Sequence, residues 1–334
     1  MEIIKQVIGI DISKDSFVCR EGTIKTDQQT KISSYREFNN TKASIRKFYK
    51  YAQDQKIKGV TQYFLMEATG VYYEALAYFL KSKGAHVIVV LPNKAKFFAR
   101  TLSIKSKTDP IDAGILTQMG LEKVLNEWEP PSKLMKALKQ LTREHLSLQE
   151  RKTDAKNRIH AKTHSFQPGK DTIRRIKLEI KFYQRLIEEI EINIRTLLKS
   201  DIQMWSKIQN IQGVKGLGLM TIAKVLAETD AFALIQNGKQ LTSYAGYDVV
   251  LKESGKYRGK TKISKKGNRH LRMSVYMPAI SAIRSNPKMK TYYNRMLEKG
   301  KPKKVGIVAV ARKLLLLIYY LWINETEYDP AYAD

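Results

Sequence analysis

The sequence predicts an α/β domain with a mixed β-sheet, then an antiparallel helical hairpin, then a mainly helical C-terminal domain. Three observations indicate this order. Short apolar runs bounded by turn residues crowd the first 130 residues. Apolar residues then recur every three or four positions over two long stretches. The last third is the most basic part of the chain and has glycine-rich turns between helical segments. We therefore expect domains at 1–130, 131–205 and 206–330.

The first domain begins with three candidate strands that lie close together in the sequence, at 5–12, 16–20 and 31–34. Their short spacing predicts an antiparallel meander. Two later candidate strands, 62–67 and 86–91, alternate with candidate helices near 71–83, 94–101 and 109–120. Three strands followed by alternating strands and helices form a mixed sheet. This order is that of the ribonuclease-H fold.

The middle segment predicts a long helical hairpin. Pro130 and Pro131 interrupt the chain, and Ser132 is suited to cap the helix that follows. Apolar residues then alternate at spacings of three and four over 134–159 and again over 173–197, with Pro168 and Gly169 between. This heptad-like spacing is typical of coiled coils, so we expect an antiparallel coiled-coil linker. Ordinary helices of a globular core are the alternative.

The charge of the chain predicts a polyanionic partner. Its 60 Lys and Arg outnumber 32 Asp and Glu, for a formal net charge of +28. Such an excess repels itself unless a polyanion such as nucleic acid screens it. Cys19 is the single cysteine, so no intrachain disulfide can form, which fits a reducing compartment. The apolar run 314–323 is too short for a membrane span and predicts a buried helix. We expect a cytoplasmic protein with no membrane partner.

Four carboxylates are placed to converge. Asp11 and Glu67 end two candidate strands, whereas Asp109 and Asp112 are three residues apart at the start of a candidate helix. A helix places positions i and i+3 on one face. Converging carboxylates repel one another unless a cation lies between them, and their oxygen atoms favour Mg²⁺ or Mn²⁺. Two such ions can stabilise the attacking and leaving oxygens of a phosphoryl transfer. Each acid alone could instead be a strand-end or helix cap.

A basic segment follows near residue 250. It carries one acid, Glu253, and nine basic side chains: Lys252, Lys256, Arg258, Lys260, Lys262, Lys265, Lys266, Arg269 and Arg272. Glycines at 255, 259 and 267 allow a phosphate to approach the backbone closely. We expect these nine residues to bind nucleic acid; a solvated basic loop is the alternative. Ser254 stands in this segment, and so do Ser243, Ser264 and Ser274 nearby, so chemistry alone does not single out a nucleophile.

Several motifs together resemble one protein family. The chain resembles the DEDD transposases of the bacterial insertion-sequence one-ten family, also called bridge-RNA-guided recombinases. The resemblance covers nearly the whole chain and is carried by GIDISK (9–14), EATG (67–70), KTDPIDA (107–113), GLGLMTIAKVLAE (216–228), YAG (244–246), ESG (253–255), ISKKGNRHLR (263–272) and ARKLL (311–315).

The resemblance implies a fold and a mechanism. It implies a RuvC-like domain, a coiled-coil linker and a C-terminal transposase domain. It implies that Asp11, Glu67, Asp109 and Asp112 bind Mg²⁺ or Mn²⁺, and that Ser254 is the nucleophile that becomes covalently linked to DNA. Further implications are a structured bridge RNA that pairs with donor and target DNA, and a homo-oligomer, dimer to tetramer, whose composite active site joins two subunits. Such a protein would associate with the nucleoid when it acts.

Two other functions are compatible with the residues. A RuvC-like structure-specific nuclease, such as a junction resolvase, would need the four acids and metal-activated water but not the serine. A nucleic-acid-binding protein without activity would need neither the four acids nor the serine, although all five of these residues are present. A covalent adduct between the serine and DNA distinguishes the recombinase from both.

Overall fold

A computed structural model of the chain describes residues 2–102, 104, 106–233, 235–251, 253–255, 257–259 and 261–329. The chain divides into two compact units, Met1–Pro130 and Pro131–Asp334. The first unit is α/β and the second is mostly helical. Within the second unit, the predicted division at 205/206 stays a prediction.

The first unit contains a six-stranded mixed sheet. Its strands are β1 (Ile3–Ile12), β2 (Ser16–Lys25), β3 (Thr30–Ile32), β4 (Arg36–Asn39), β5 (Gln62–Glu67) and β6 (His86–Val90). Its helices are α1 (Lys42–Asp54), α2 (Glu74–Ser82), α3 (Pro92–Thr101) and α4 (Asp109–Glu122). The order is β3-β2-β1-β5-β6, and β4 pairs with β2. Strands β1 to β4 pair antiparallel, whereas β5 runs parallel to both β1 and β6.

Both faces of this sheet are covered, because alternate residues of a strand point to opposite faces. Ile8 of β1 and Phe64 of β5 belong to an apolar cluster that also includes side chains of α1 and α2. Val7 and Leu65 belong to a second cluster with side chains of α3 and α4. Burial on both faces explains why β1 and β5 read as nearly continuous apolar runs in the sequence.

The second unit begins with two long helices that run antiparallel. Its helices are α5 (Lys133–Thr163), α6 (Lys170–Lys199), α7 (Ile202–Gln212), α8 (Leu219–Thr229), α9 (Gly238–Ala245), α10 (Arg269–Ser285), α11 (Pro287–Glu298) and α12 (Lys303–Asn324). Ser132 caps α5 by accepting a hydrogen bond from the Met135 N–H, as its position predicts. Two polar pairs show the antiparallel direction: His145 of α5 contacts Glu191 of α6, whereas Arg158, later in α5, contacts Glu179, earlier in α6.

One large apolar cluster fills the rest of the second unit. Helix α12 passes through it, and Val310, Leu314 and Ile318 are fully buried there. By length and composition alone α12 is the one helix of the described chain that could cross a membrane, and half of its most apolar window is buried inside the protein. The C-terminal apolar run therefore forms a core helix, as the sequence predicts.

Four strands of two residues each interrupt the helices of the second unit. They are β7 (Val249–Val250), β8 (Glu253–Ser254), β9 (Tyr257–Arg258) and β10 (Lys262–Ile263). Strand β7 pairs antiparallel with β10, and β8 pairs antiparallel with β9. We call the segment 249–263 the β-arm. The sequence predicts only a basic loop here, because strands this short and charged have no apolar alternation.

Candidate active site

Asp11 and Glu67 lie on neighbouring parallel strands and on the same face of the sheet. Ile10 of β1 pairs with Met66 of β5, so the next residues of the two strands, Asp11 and Glu67, lie side by side. Both continue the alternation of side chains that face α4, since Asp11 follows Gly9 and Glu67 follows Leu65 at a spacing of two. The sequence predicts this sharing of one sheet edge.

Helix α4 brings two further carboxylates to this face. Thr108 caps the helix by accepting a hydrogen bond from the Ile111 N–H, and Pro110 occupies the first turn, as its position predicts. Asp109 and Asp112 are therefore both in the first turn, where the helix dipole favours negative charge. Thr108 holds the cap position, so Asp109 is not used as the cap.

Gly9 and Thr117 set the distance between α4 and β1. A Cβ atom at Gly9 would lie 2.3 Å from the Thr117 backbone nitrogen and 2.5 Å from the Ala113 carbonyl oxygen. The Thr117 hydroxyl accepts a hydrogen bond from the Gly9 N–H over 3.2 Å and lies 2.8 Å from the Ala113 carbonyl. This close contact lies two residues from Asp11 on one element and five from Asp112 on the other. Sequence reasoning missed both positioning residues, because a single Gly in a strand has many explanations.

The four carboxylates interact electrostatically. Burial, together with the charges of Asp112, Asp109 and Glu67 in that order, raises the pKa of Asp11 to about 6, while Lys107 acts in the opposite direction. Burial and the charge of Asp109 also raise the pKa of Asp112, again against Lys107. Like charges that raise one another's pKa values are typical of sites where a cation is bound.

The donor set fits a hard divalent cation, although the side chains are not grouped as ligands. Carboxylate oxygens are what Mg²⁺ and Mn²⁺ prefer. Within the described residues, no three His, Cys, Asp or Glu side chains form a group that could hold a metal ion as they stand. The carboxylates would have to turn toward one another to share an ion. Among them Asp109 is exposed, whereas Asp11, Glu67 and Asp112 are half-buried.

Ser254 lies near the tip of the β-arm. It pairs with Tyr257 across the inner hairpin, and the turn between them begins with Gly255 at a φ of 55°, in the left-handed region. Ser254 is exposed, as are Glu253 and Tyr257. A hydroxyl at this position is accessible to a large substrate.

Backbone hydrogen bonds join the residues that flank the β-arm to one another and to the end of α9. The Ser264 N–H donates to the Asp248 carbonyl over 2.8 Å, and the Asn268 N–H donates to the Tyr244 carbonyl over 2.7 Å. Gly267 permits this contact, because a Cβ atom there would lie 2.5 Å from the Tyr244 carbonyl oxygen. These contacts attach the segment that carries the β-arm to the end of α9.

The nine basic residues expected to bind nucleic acid have different surroundings. Lys252, Lys256 and Lys260 lie outside the described residues. Arg258 is in β9 and Lys262 in β10, whereas Lys265 and Lys266 are exposed in the loop before α10. Arg269 is exposed at the start of α10. Arg272 differs, since its Nη1 donates to the Ala245 carbonyl over 2.8 Å and so fixes the C-terminal end of α9.

A buried carboxylate beneath this loop was not predicted from the sequence. Glu228 of α8 is buried and accepts hydrogen bonds from Arg143 Nε over 2.9 Å, Arg143 Nη2 over 3.2 Å and Asn268 Nδ2 over 2.8 Å. Burial alone would raise the pKa of Glu228, but these hydrogen bonds outweigh it and lower the pKa. In the sequence, Glu228 could have been noticed because it ends the GLGLMTIAKVLAE motif.

Comparison with known families defines the class of this protein as a transposase. A family model described as a DEDD transposase (DEDD_Tnp_IS110) matches residues 8–168, which include all four carboxylates. A second model, described as a transposase of the IS116/IS110/IS902 family, matches residues 208–294, which include Ser254 and the β-arm. The chain belongs to the IS110, or insertion-sequence one-ten, family of transposases.

Curated relatives agree with this family. The chain is 29% identical to the pilin gene-inverting protein of Moraxella lacunata over 334 residues, which cover 97% of this chain and 98% of that protein. A second relative is the insertion element IS900 uncharacterized 42 kDa protein of Mycobacterium paratuberculosis, to which the chain is 30% identical over 122 residues. This alignment covers 36% of this chain and 31% of that protein. A solved structure of the Ppx/GppA family from Aquifex aeolicus aligns over 98% of this chain and 92% of that one, with 12% identity. Its TM-score of 0.23 is too low to indicate a shared fold.

Proposed function

We propose that this transposase catalyses RNA-guided cleavage and exchange of DNA strands through a metal-binding DEDD tetrad and a covalent phosphoserine intermediate. The tetrad is Asp11, Glu67, Asp109 and Asp112, and the nucleophile is Ser254. One observation carries the proposal most directly. Three separate segments of the first unit place the four carboxylates close enough to interact: burial first, and then the charges of Asp112, Asp109 and Glu67, raise the pKa of Asp11 to about 6.

The tetrad would hold Mg²⁺, with Mn²⁺ as the alternative ion. The bound ion supplies charge stabilisation for phosphoryl transfer. The chain's own contribution is to fix the ligands on rigid elements. Asp11 and Glu67 are at the ends of paired strands, and the contact of Gly9 with Thr117 positions the helix that carries Asp112. The four carboxylates must be ionised to bind the ion, which links the activity to pH.

In the proposed chemistry, the Ser254 oxygen forms a bond to a phosphorus atom of the DNA backbone. The bond between that phosphorus and a deoxyribose oxygen breaks, and this oxygen takes up a proton to become a free hydroxyl end. The serine proton is lost to a base. Rejoining reverses the bonds, since a hydroxyl of another strand displaces the serine oxygen from the phosphorus. The bond energy of the phosphodiester is retained throughout, so no external energy source is needed.

The proposed partners are donor DNA, target DNA and a structured bridge RNA, acting with a homo-oligomer of two to four subunits. The high positive charge and the exposed Lys265, Lys266 and Arg269 support nucleic-acid binding. The bridge RNA, the oligomeric state and the composite active site are carried by the family resemblance.

A RuvC-like nuclease remains the alternative mechanism. It explains the four carboxylates but not the β-arm with its exposed serine. The name of the full-length Moraxella relative describes a gene-inverting protein. Inversion of a DNA segment requires rejoining as well as cutting, so this likeness favours the recombinase.

Strand exchange by Ser254→Ala tests the proposal. The assay would use the protein with Mg²⁺, DNA that carries the element's junction and RNA transcribed from its flank. Ser243→Ala is the matched control, because Ser243 is an exposed serine of the same segment, on α9. We expect Ser254→Ala to abolish exchange and Ser243→Ala to retain it. Normal exchange by Ser254→Ala would refute the serine mechanism.

A further inference from the structure

A cavity of about 90 Å³ lies between three helices of the second unit. Thr142 and Arg143 of α5, Lys224 and Glu228 of α8, and His270 and Ser274 of α10 contribute to its lining. We call it the three-helix pocket. A water molecule occupies roughly 30 Å³ in the liquid, so the pocket can hold several waters or a small oxyanion. Leu146 and Met273 also line it, and the charged and polar side chains beside them distinguish it from a packing defect in a wholly apolar core.

The one acid of the pocket lining is already neutralised. Glu228 accepts two hydrogen bonds from Arg143 and one from Asn268, as described above. The guanidinium of Arg143 uses Nε and Nη2 for this contact, and its Nη1 has no hydrogen-bond partner within the described part of the chain. A guanidinium carries five N–H donors in a planar fork, so donors remain for a further ligand. Glu228 therefore orients Arg143, and the charge of Arg143 offsets the repulsion that Glu228 would exert on an anion in the pocket.

Two further lining residues, Lys224 and His270, have side-chain nitrogens without a hydrogen-bond partner among the described residues. Lys224 is half-buried, and burial lowers the pKa of its ammonium group, while the charge of Glu191 acts in the opposite direction. No salt bridge or hydrogen bond joins Lys224 to another described residue. The Nδ1 atom of His270 is shielded from solvent and also has no partner among the described residues. An unpaired buried donor or acceptor costs free energy, and a bound anion would remove that cost.

We propose that the three-helix pocket binds one phosphate group of a nucleic-acid backbone. Lys224, Nη1 of Arg143 and His270 would contact its oxygens. One lining residue, His270, is in the first turn of α10, directly after the exposed Arg269 and a few residues after the exposed loop lysines 265 and 266. A strand that follows the basic loop could therefore place a phosphate in the pocket. The inference extends the proposed nucleic-acid function, but it concerns binding alone and is independent of Ser254 chemistry.

The number of phosphate contacts can be read from the salt dependence of binding. For duplex DNA, the slope of log K against log salt changes by about 0.9 for each phosphate contact, and for single strands by about 0.7. The test compares Lys224→Met with Lys290→Met, an exposed lysine on α11 whose loss changes the net charge equally. Binding is measured without divalent metal, so that no strand is cut. One series uses duplex DNA and another a structured RNA, which identifies the source of the phosphate.

We expect Lys224→Met to lower the slope by about one contact in at least one series, with no change for Lys290→Met. A second measurement follows the melting temperature in inorganic phosphate against NaCl of equal ionic strength. Wild type and Lys290→Met should gain the same increment, and Lys224→Met should lose most of it. Equal slopes in both series, or an undiminished phosphate increment in Lys224→Met, would overturn the proposal. Lys224→Gln, which keeps a polar side chain, repeats the test if the Met variant does not fold.

Discussion

Asn268 joins a buried carboxylate to the start of a helix. Its Nδ2 donates to Glu228 over 2.8 Å, while its Oδ1 accepts hydrogen bonds from the backbone N–H groups of His270 and Leu271. One side chain thus caps α10 and ties that cap to α8. The loop 264–267 connects the β-arm to Asn268, whose N–H also donates to the Tyr244 carbonyl of α9, so this side chain helps to hold the segment from which the arm extends.

Replacing Glu228 should destabilise the second unit. Glu228→Gln removes the charge that pairs with Arg143, and because Arg143 is half exposed we expect a loss of about 1–3 kcal/mol in the free energy of unfolding. Folding lowers the pKa of Glu228, so its contribution is fully present above the pKa of the unfolded chain and is lost as pH falls through the lower pKa of the folded protein. Chemical denaturation at pH 7 and at pH 4 would measure both effects. Glu189→Gln, on the exposed face of α6, is the control and should change neither value.

Adding a methyl group at Gly9 should disturb the carboxylate site. The new Cβ would lie 2.3 Å from a backbone nitrogen of α4, so the helix that carries Asp112 must move. We expect Gly9→Ala to lose about 1–3 kcal/mol of stability and most of the metal-dependent activity. Gly218→Ala is the control, since a Cβ atom there meets nothing within 4 Å and the φ is negative. Wild-type melting and activity in Gly9→Ala would show that α4 does not pack as described.

Asp11→Asn should stabilise the metal-free protein at neutral pH. The folded pKa of Asp11, about 6, lies above its usual value. Its favourable contribution to folding is therefore complete below about pH 4 and is lost as pH rises through about 6. Removing the charge should add about 1 kcal/mol at pH 7.5, after allowance for solvent screening of a partly exposed group. Thermal melting in EDTA would measure this gain.

The same variant separates electrostatics from metal binding. Wild type should gain stability on addition of Mg²⁺ or Mn²⁺ at pH 7.5 and much less at pH 5, where protonated carboxylates bind metal poorly. Asp11→Asn should show little gain at either pH. A metal-dependent gain in Asp11→Asn equal to that of wild type would contradict the tetrad.

The turn of the β-arm should tolerate Asn better than Ala. Gly255 has a φ of 55° and open space around its Cβ position, so a substitution there acts through the backbone rather than through packing. Asn adopts the left-handed region more readily than Ala does. We expect covalent adduct yield to fall in the order Gly255, Asn, Ala, with little change in the melting temperature. Equal yields from all three proteins would show that the hairpin turn does not position Ser254.

Much of the α/β unit could be predicted from the sequence, because its signals are local. Strands such as β1 and β5 are apolar runs bounded by turns, and Thr108 with Pro110 marks a helix start. Parallel pairing of β1 and β5 then places Asp11 beside Glu67 with no further information.

The remaining features depend on contacts between distant residues. The approach of Gly9 to Thr117 joins positions 108 residues apart, and no sequence period indicates it. Similarly, Glu228 resembles any helical glutamate until Asn268 and Arg143 are placed around it. The β-arm was missed because its two-residue strands carry charge rather than alternating apolar side chains.

Mass spectrometry of the DNA-linked peptide tests the central claim most directly. The protein would be incubated with Mg²⁺, junction DNA and flank-derived RNA, then denatured and digested. The account predicts a nucleotide adduct on Ser254 that is absent from Asp11→Ala. Cleaved DNA without any protein adduct, or an adduct on another residue, would contradict it.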